Sequence, residues 1–107
     1  MSVAPKSQIL KLVEMVSYQG GSVVSRQITK ADAGNVTLFA FDEGQELSEH
    51  TAPYDALLHL LEGQAEIHIS GQPYELGAGE AIILPANAPH AVKAKTKFKM
   101  LLTMIRA

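Results

Sequence analysis

The chain has 107 residues, 47% of them hydrophobic, which predicts a single domain over residues 1–107 with a substantial hydrophobic core. The absence of cysteine excludes disulfides and cysteine-based metal sites and favours a reducing compartment. A net charge of −2, with three Phe, three Tyr and no Trp, argues against a nucleic-acid partner. There is no apolar run of about 18 residues for a membrane span and no apolar leader region at the N-terminus, so we expect a cytoplasmic protein.

The N-terminal part of the chain has an ambiguous pattern. Its apolar residues follow helical spacing at Ile9, Leu12, Val13 and Val16, and Ser7 is a candidate N-cap. The stretch is only about three helical turns long. It therefore predicts either a short helix or an edge segment of a sheet.

From residue 23 onward the pattern is typical of short strands. The run 36–41 is continuously apolar, which favours a strand buried on both faces. In 65–69, apolar and polar residues alternate, which favours a strand buried on one face. Further strands are predicted at 23–29, 56–61, 81–84, 91–93 and 98–105. About eight short strands with frequent turn signals predict an all-β sandwich or barrel.

Two segments carry a recurrent spacing of glycine, proline and histidine. In the first, five residues separate Gly44 from His50, and Gly63 closes the segment. In the second, five residues separate Gly79 from Pro85, and His90 follows. These residues resemble the two motifs of the cupin superfamily, and the resemblance extends over Val36 to Met104. It implies a double-stranded β-helix, or jelly roll, with a site inside the barrel near its open mouth.

The same resemblance implies a metal held by three histidines and one glutamate. The four ligand positions fall on His50, Ala52, Ala56 and His90, and alanine cannot coordinate a metal. Asn87 and Ala94 also replace the glycine and asparagine of the second motif. Two histidines could still hold a divalent transition metal weakly.

Two acidic residues are candidates for a third metal ligand. Glu46 has the same strand parity as His50, and Asp55 adjoins the position of the family's glutamate. A bulge in the irregular stretch before Ala56 would be needed to turn Asp55 inward. His59 and His68 have the opposite parity to the inward residues of their strands, so both are expected on the outside.

Replacement of two ligands by alanine also predicts an enlarged apolar pocket, formed by His50, Ala52, Ala56, Leu58, His90 and Val92. Met100 and Met104 are further candidates for its lining, although plain core packing is the favoured interpretation for both. This composition favours a protein that binds a small organic molecule. The alternatives are a metal-dependent oxygenase or isomerase, and a metal-free isomerase or lyase with the histidines as acid and base.

Two leucines on the outer surface bear on the oligomeric state. If Ala56 and Leu58 point inward, Leu57 and Leu61 point outward. Either the N-terminal segment or a partner chain must then cover these leucines. Together with the pairing of many cupins, this predicts a homodimer.

Overall fold

A computed structural model describes residues 3–106, which contain nine strands and a 3-10 turn at Leu12–Glu14. The strands are β1 (Val23–Ala31), β2 (Gly34–Phe41), β3 (Glu46–His50), β4 (Tyr54–Glu62), β5 (Gln64–Ile69), β6 (Gln72–Gly77), β7 (Ala81–Leu84), β8 (His90–Lys93) and β9 (Phe98–Arg106). Within the described range, no helix has the length and apolar character needed to cross a membrane.

The strands form two sheets in which every described pairing is antiparallel. A five-stranded sheet has the order β1-β2-β9-β4-β7, and a four-stranded sheet has the order β3-β8-β5-β6. The strands that are consecutive in the chain alternate between sheets from β3 onward, apart from the hairpin of β5 and β6. This arrangement confirms the all-β prediction.

The main core lies between the inner faces of the two sheets. Phe41 and Phe98 are fully buried and stack with ring centroids 4.6 Å apart. Leu58 and Leu60 on β4 meet Ile67 from the opposite sheet, and each of the three has 0% exposure. Burial of side chains of this size is worth about 1.5–3 kcal/mol each, so this core dominates the stability of the fold.

A second core lies on the outer face of the five-stranded sheet, beneath the N-terminal segment. Leu38 and Ala40 are fully buried there, with Val16 at 4% exposure. The predicted burial of residues 36–41 on both faces is thereby confirmed, because Phe41 enters the main core.

Of the two alternatives for the N-terminal segment, a helix is present only as the single 3-10 turn at Leu12–Glu14. Ser7 has a φ of 58°, whereas a helix N-cap needs an extended backbone. Ile9 is 97% exposed and contributes nothing to an apolar helix face. The segment is instead attached by Ala4, whose amide donates to the carbonyl of Ile28 on edge strand β1 at 2.9 Å.

At three places in the sheets, one strand of a pair has one residue more than its partner strand, which shifts the register. They lie between Gln27 and Thr29 on β1, between Leu47 and His50 on β3, and between Leu60 and Glu62 on β4. Each is a β-bulge, which changes the face toward which the following residues point. The first two bulges decide which side chains enter the barrel.

Part of the outer face remains uncovered. Leu61 packs into the second core beneath the N-terminal segment, but Leu57 is 41% exposed. Leu57 pairs with Ile83, and Ile83 and Ile105 are 60% and 59% exposed. The N-terminal segment therefore covers only one of the two outward leucines, and an apolar patch of Leu57, Ile83 and Ile105 lies open.

Candidate functional site

His50 and His90 lie side by side at one end of the barrel. His50 ends β3, His90 begins β8, and their Cα atoms are direct partners in the four-stranded sheet. Their Nε2 atoms are 3.1 Å apart, and the rings meet edge to face with centroids 4.3 Å apart. His90 is 7% exposed and His50 is exposed, so the pair connects the buried interior with solvent.

The bulge in β3 brings His50 to this position. Leu47 pairs with the buried Val92, and three residues further His50 pairs with His90, which is only two residues from Val92. The extra residue on β3 lets Leu47 and His50 share the inner face despite their odd spacing. Glu46 instead pairs with the exposed Lys93 and lies on the outer face.

Backbone carbonyls define the protonation pattern of the pair. Nδ1 of His50 lies 2.7 Å from the Ser48 carbonyl, and Nδ1 of His90 lies 3.1 Å from the Ala88 carbonyl. A carbonyl oxygen only accepts, so each Nδ1 is the protonated nitrogen. In two neutral rings both Nε2 atoms are then acceptors only 3.1 Å apart, and a donor or a cation that contacts both would relieve the repulsion of their lone pairs.

Burial is the main cause that lowers the pKa of His90 below its ordinary value. The neighbouring His50 lowers the pKa further, whereas the hydrogen bond to the Ala88 carbonyl acts in the opposite direction. A neutral His90 near pH 7 keeps its Nε2 lone pair available as a hydrogen-bond acceptor or a base.

The alanine positions lie on the five-stranded sheet and on the connection that leads to it. Ala56 is 6% exposed and belongs to the main core, and Ala52 is half-buried on the connection from β3 to β4. The Ala52 carbonyl accepts a hydrogen bond of 2.8 Å from the Asn87 amide in the loop before His90. This bond links the two chain segments that carry the motif residues.

Leu58 and Val92 lie deeper than the histidines. They are 0% and 2% exposed and pack inside the main core. Met100 is likewise buried at 1%, while Met104 is partly buried nearer the end of the barrel. Core packing is thus what the structure assigns to Leu58, Val92 and Met100.

Neither acidic candidate joins the histidines. Glu46 is turned outward by the bulge, which reverses the parity on which its candidacy rested. Asp55 accepts a hydrogen bond of 2.8 Å from the Ala86 amide and pairs with the exposed Ile105. Residues 3–106 contain no group of three or more His, Cys, Asp and Glu side chains able to hold a metal ion.

The two remaining histidines lie away from the pair. His59 follows the inward Leu58 on β4 and is partly buried on the outer side. His68 is 28% exposed and its Nε2 lies 2.7 Å from a Glu66 carboxylate oxygen, which also contributes to an ion pair with Lys95. The outward directions predicted for both from strand parity agree with this placement.

A cavity of about 250 Å³ lies on the five-stranded sheet at the same end of the barrel. Its polar lining comes from Gln27, Lys30, Asn35, Tyr54 and Arg106, with Met104 as an apolar member. Sequence analysis missed these polar residues. For two of them the sequence contained a signal. Arg106 lies two residues after Met104, and Tyr54 lies two residues before Ala56, so each is expected on the same strand face as that apolar residue.

The family model described as "Cupin domain" matches residues 37–106. The chain belongs to the cupin family. No curated protein matches this cupin. The matched region includes His50 and His90. It also includes Ala52 and Ala56, the two positions at which this chain departs from the metal ligands of the family motif.

Solved structures, one of them of a cupin superfamily protein, support the double-stranded β-helix assignment. A conserved protein of unknown function from Streptococcus pyogenes is 33% identical to this chain, with a TM-score of 0.91. The match covers 100% of this chain and 96% of the Streptococcus pyogenes chain. A cupin superfamily protein from Desulfitobacterium hafniense is 27% identical, with a TM-score of 0.91, and the match covers 99% of this chain and 97% of that protein.

A longer structure also contains this fold. A cupin 2 conserved barrel domain protein from Leptotrichia buccalis is 38% identical with a TM-score of 0.88, covering 91% of this chain. The match covers 47% of that protein, so the present cupin corresponds to about half of its length.

The residues present do not fit the four-ligand metal set that the cupin resemblance implies. Two Nε2 atoms converge at 3.1 Å, which suits two ligands of one ion. A catalytic metal site normally has at least three protein ligands, and Ala52 and Ala56 supply none. In the part of the chain that the structure describes, no acidic side chain replaces them.

Proposed function

We propose that this cupin binds a small organic molecule at the His50–His90 pair without a tightly held metal. The observation that carries the proposal is the pair itself, two Nε2 atoms 3.1 Å apart whose Nδ1 atoms both lie against backbone carbonyls. Both Nε2 lone pairs can accept a hydrogen bond from a ligand hydroxyl or amide. The preorganised acceptors would fix the orientation of a ligand whose apolar part contacts the barrel interior.

The burial of the two histidines supports a binding role. His90 is nearly enclosed, and burial keeps it neutral near pH 7 by lowering its pKa. His50 is exposed and therefore accessible to a molecule that approaches from solvent. A ligand that contacts both rings would replace water at one partly desolvated acceptor, which favours specific recognition.

A metal-dependent enzyme of the oxygenase or isomerase type is the second candidate. The convergence of two Nε2 atoms favours it, because His50 and His90 could act as two ligands of a divalent transition metal. Further ligands would have to come from water or from the bound molecule. The absence of a third acidic or histidine ligand among residues 3–106 makes the metal-free binding protein the better supported proposal.

A thermal-shift screen tests the binding proposal. Uncharged and charged molecules of up to about ten non-hydrogen atoms would be tested with the wild type, with His50→Ala/His90→Ala and with His59→Ala as control. At a concentration of 100 Kd a ligand adds about 2.7 kcal/mol of stability. We expect compounds that stabilise the wild type and His59→Ala but not the double variant. Equal stabilisation of the double variant, or no stabilising compound, would contradict the proposal.

We also propose that a second copy of the chain covers the open apolar patch of Leu57, Ile83 and Ile105. The patch lies on the same outer face as the part covered by the N-terminal segment, and β7 forms the edge of that sheet. Three adjacent aliphatic side chains with exposures of 41–60% favour association. The resulting dimer would leave the His50–His90 pair, on the other sheet, accessible.

A further inference from the structure

We propose that the ligand of the barrel mouth is a small organic anion, bound by Lys30, Tyr54 and Arg106. The mouth is the end of the barrel formed by His50, Tyr54, His90 and Arg106. This inference rests on the proposed small-molecule function and adds the ligand's chemical class. It starts from the cavity of about 250 Å³ on the five-stranded sheet.

The strand register places these three side chains on the inner face of the sheet. Tyr54 pairs with Arg106, and two residues further along each strand Ala56 pairs with Met104. Ala56 and Met104 both contribute to the main core between the sheets. Because strand side chains alternate with a period of two, Tyr54 and Arg106 point to the same side as that core.

A β-bulge brings Lys30 to the same face. Gln27 pairs with Thr37, but Thr29 pairs with Val36, so Ile28 is the extra residue. Ile28 is 8% exposed and packs into the second core on the outer face. The bulge gives Gln27 and Lys30 a common inner face despite their odd spacing. Lys30 then pairs with Asn35, which itself pairs with Met104.

The cavity and the histidine pair lie at the same end of the barrel. His50 ends β3 and Tyr54 begins β4, so residues 51–53 alone connect them and their Cα atoms can be at most about 14 Å apart. The loop before His90 is held to the start of β4 by the bonds from Asn87 to Ala52 and from Ala86 to Asp55. A ligand in the cavity would therefore lie at the same end of the barrel as the pair on the opposite sheet.

The charges of the cavity select an anion. Among residues 3–106, neither Lys30 nor Arg106 forms an ion pair with a carboxylate. The positive charge of the two side chains contrasts with the net charge of −2 of the whole chain. A guanidinium binds a carboxylate or phosphate with two parallel hydrogen bonds, and an ammonium adds a compact charge.

Tyr54 prepares the arginine for this role. Nη2 of Arg106 donates to the Tyr54 hydroxyl oxygen at 3.1 Å, and the guanidinium lies over the ring, 5.3 Å from its centroid. Both contacts restrict the arginine side chain, which lowers the entropy lost when a ligand binds. Since the hydroxyl oxygen accepts this bond, its own hydrogen is available to donate to the anion.

The cavity volume guides the choice of a probe anion. At about 30 Å³ per water molecule of liquid volume, the cavity has room for about eight non-hydrogen atoms. Succinate has this size and two carboxylates for two cations. Succinamide is its uncharged counterpart of equal size, and inorganic phosphate represents the alternative anion chemistry.

The experiment measures Kd by ¹H–¹⁵N NMR titration with succinate, inorganic phosphate and succinamide. We expect succinate or phosphate to bind with shifts at the Gly34, Asn35 and Tyr54 amides and succinamide to bind at least about tenfold more weakly. Whichever of the two binds more tightly identifies the anion as a carboxylate or a phosphate. Failure of both to bind at 20 mM, or equal binding of succinamide, would overturn the inference.

Variants separate this inference from the proposed function. Arg106→Gln should weaken anion binding at least about tenfold, Arg106→Lys should restore part of it, and Lys6→Gln, which removes an exposed charge elsewhere, should not change it. Full binding in Arg106→Gln would overturn the anion site. If uncharged compounds still bind to the wild type and not to His50→Ala/His90→Ala, the proposed function would stand without the anion site. If anions bind equally well to the wild type and to His50→Ala/His90→Ala, the anion site would stand without the proposed function.

Discussion

Restoration of the two missing ligands in the double variant Ala52→His/Ala56→Glu should create a tight metal site. Ala56 is 6% exposed in the main core, where its Cα partners are Leu84 and Met104. A glutamate there must displace its neighbours, and overpacking of this kind costs about 1–3 kcal/mol. The entropy of unfolding of a chain of this length is about 0.22 kcal/mol/K. Without metal, the double variant should therefore melt about 5–13 °C below the wild type.

Metal should reverse this loss. Zn²⁺ or Ni²⁺ at about 100 times its Kd adds about 2.7 kcal/mol, which corresponds to a rise of about 12 °C in Tm. The wild type, with two histidines, should rise by less than about 2 °C under the same conditions. Differential scanning fluorimetry with and without metal measures both values.

A background that lacks both histidines provides the control. Addition of His50→Ala/His90→Ala to the double variant should abolish the metal-dependent rise, because two ligands alone then remain. A rise of equal size in the wild type would refute the reasoning that Ala52 and Ala56 prevent tight binding. A rise that persists without the histidines would show that the metal binds elsewhere.

Two further predictions concern the outer surfaces. The hydrogen bond from His68, followed by the ion pair with Lys95, lowers the pKa of Glu66 to about 2. A carboxylate whose folded pKa is depressed stabilises the protein above its unfolded pKa and loses this contribution as the pH falls toward the folded value. Tm should thus fall less between pH 4.5 and 2 in Glu66→Gln than in the wild type, and parallel Tm curves would contradict the role of Glu66. Ile83→Asp should convert the proposed dimer to a monomer in light scattering at micromolar concentration, with the exposed Ile9→Asp as control; a wild-type monomer would exclude this dimer.

The hydrophobic pattern was sufficient to predict the all-β class, and the jelly roll followed from the resemblance of the glycine, proline and histidine spacing to the cupin motifs. The apolar run of β2 and the alternation of β5 correspond to strands buried on two faces and on one. The glycines at 44, 63 and 79 have φ values of 84°, 83° and 88°, in the left-handed region where glycine is favoured. At Gly63 a side chain would also collide with the backbone of Lys97 and Phe98. Local rules and the motif thus indicate the same fold.

The strands β3 and β6 were harder to predict. The sequence of β3, ELSEH, is polar and all of its residues except Leu47 are exposed, so it has no alternating pattern to detect. Pro73 near the start of β6 resembles a turn residue. It is tolerated because β6 forms the edge of the four-stranded sheet.

The detailed site depended on features that alternation cannot predict. Strand parity predicted that Glu46 and His50 share a face, and the bulge in β3 reverses this relation. The same rule would place Gln27 and Lys30 on opposite faces, and the bulge in β1 brings them together. A bulge is decided by cross-strand register and tertiary packing, as with Ile28, which is buried on the outer face. Parity can place Tyr54 and Arg106 on inner faces, but their contact joins residues 52 positions apart, and local sequence contains no signal for that pairing.

The metal content of the purified protein tests the central proposal most directly. Tag-free wild type and His50→Ala/His90→Ala would be purified without chelators and analysed by inductively coupled plasma mass spectrometry. A cupin that binds an organic ligand without a tightly held metal should contain far less than one equivalent of transition metal in both proteins. Near-stoichiometric metal in the wild type, absent from the double variant, would contradict this proposal and favour the metal-dependent enzyme.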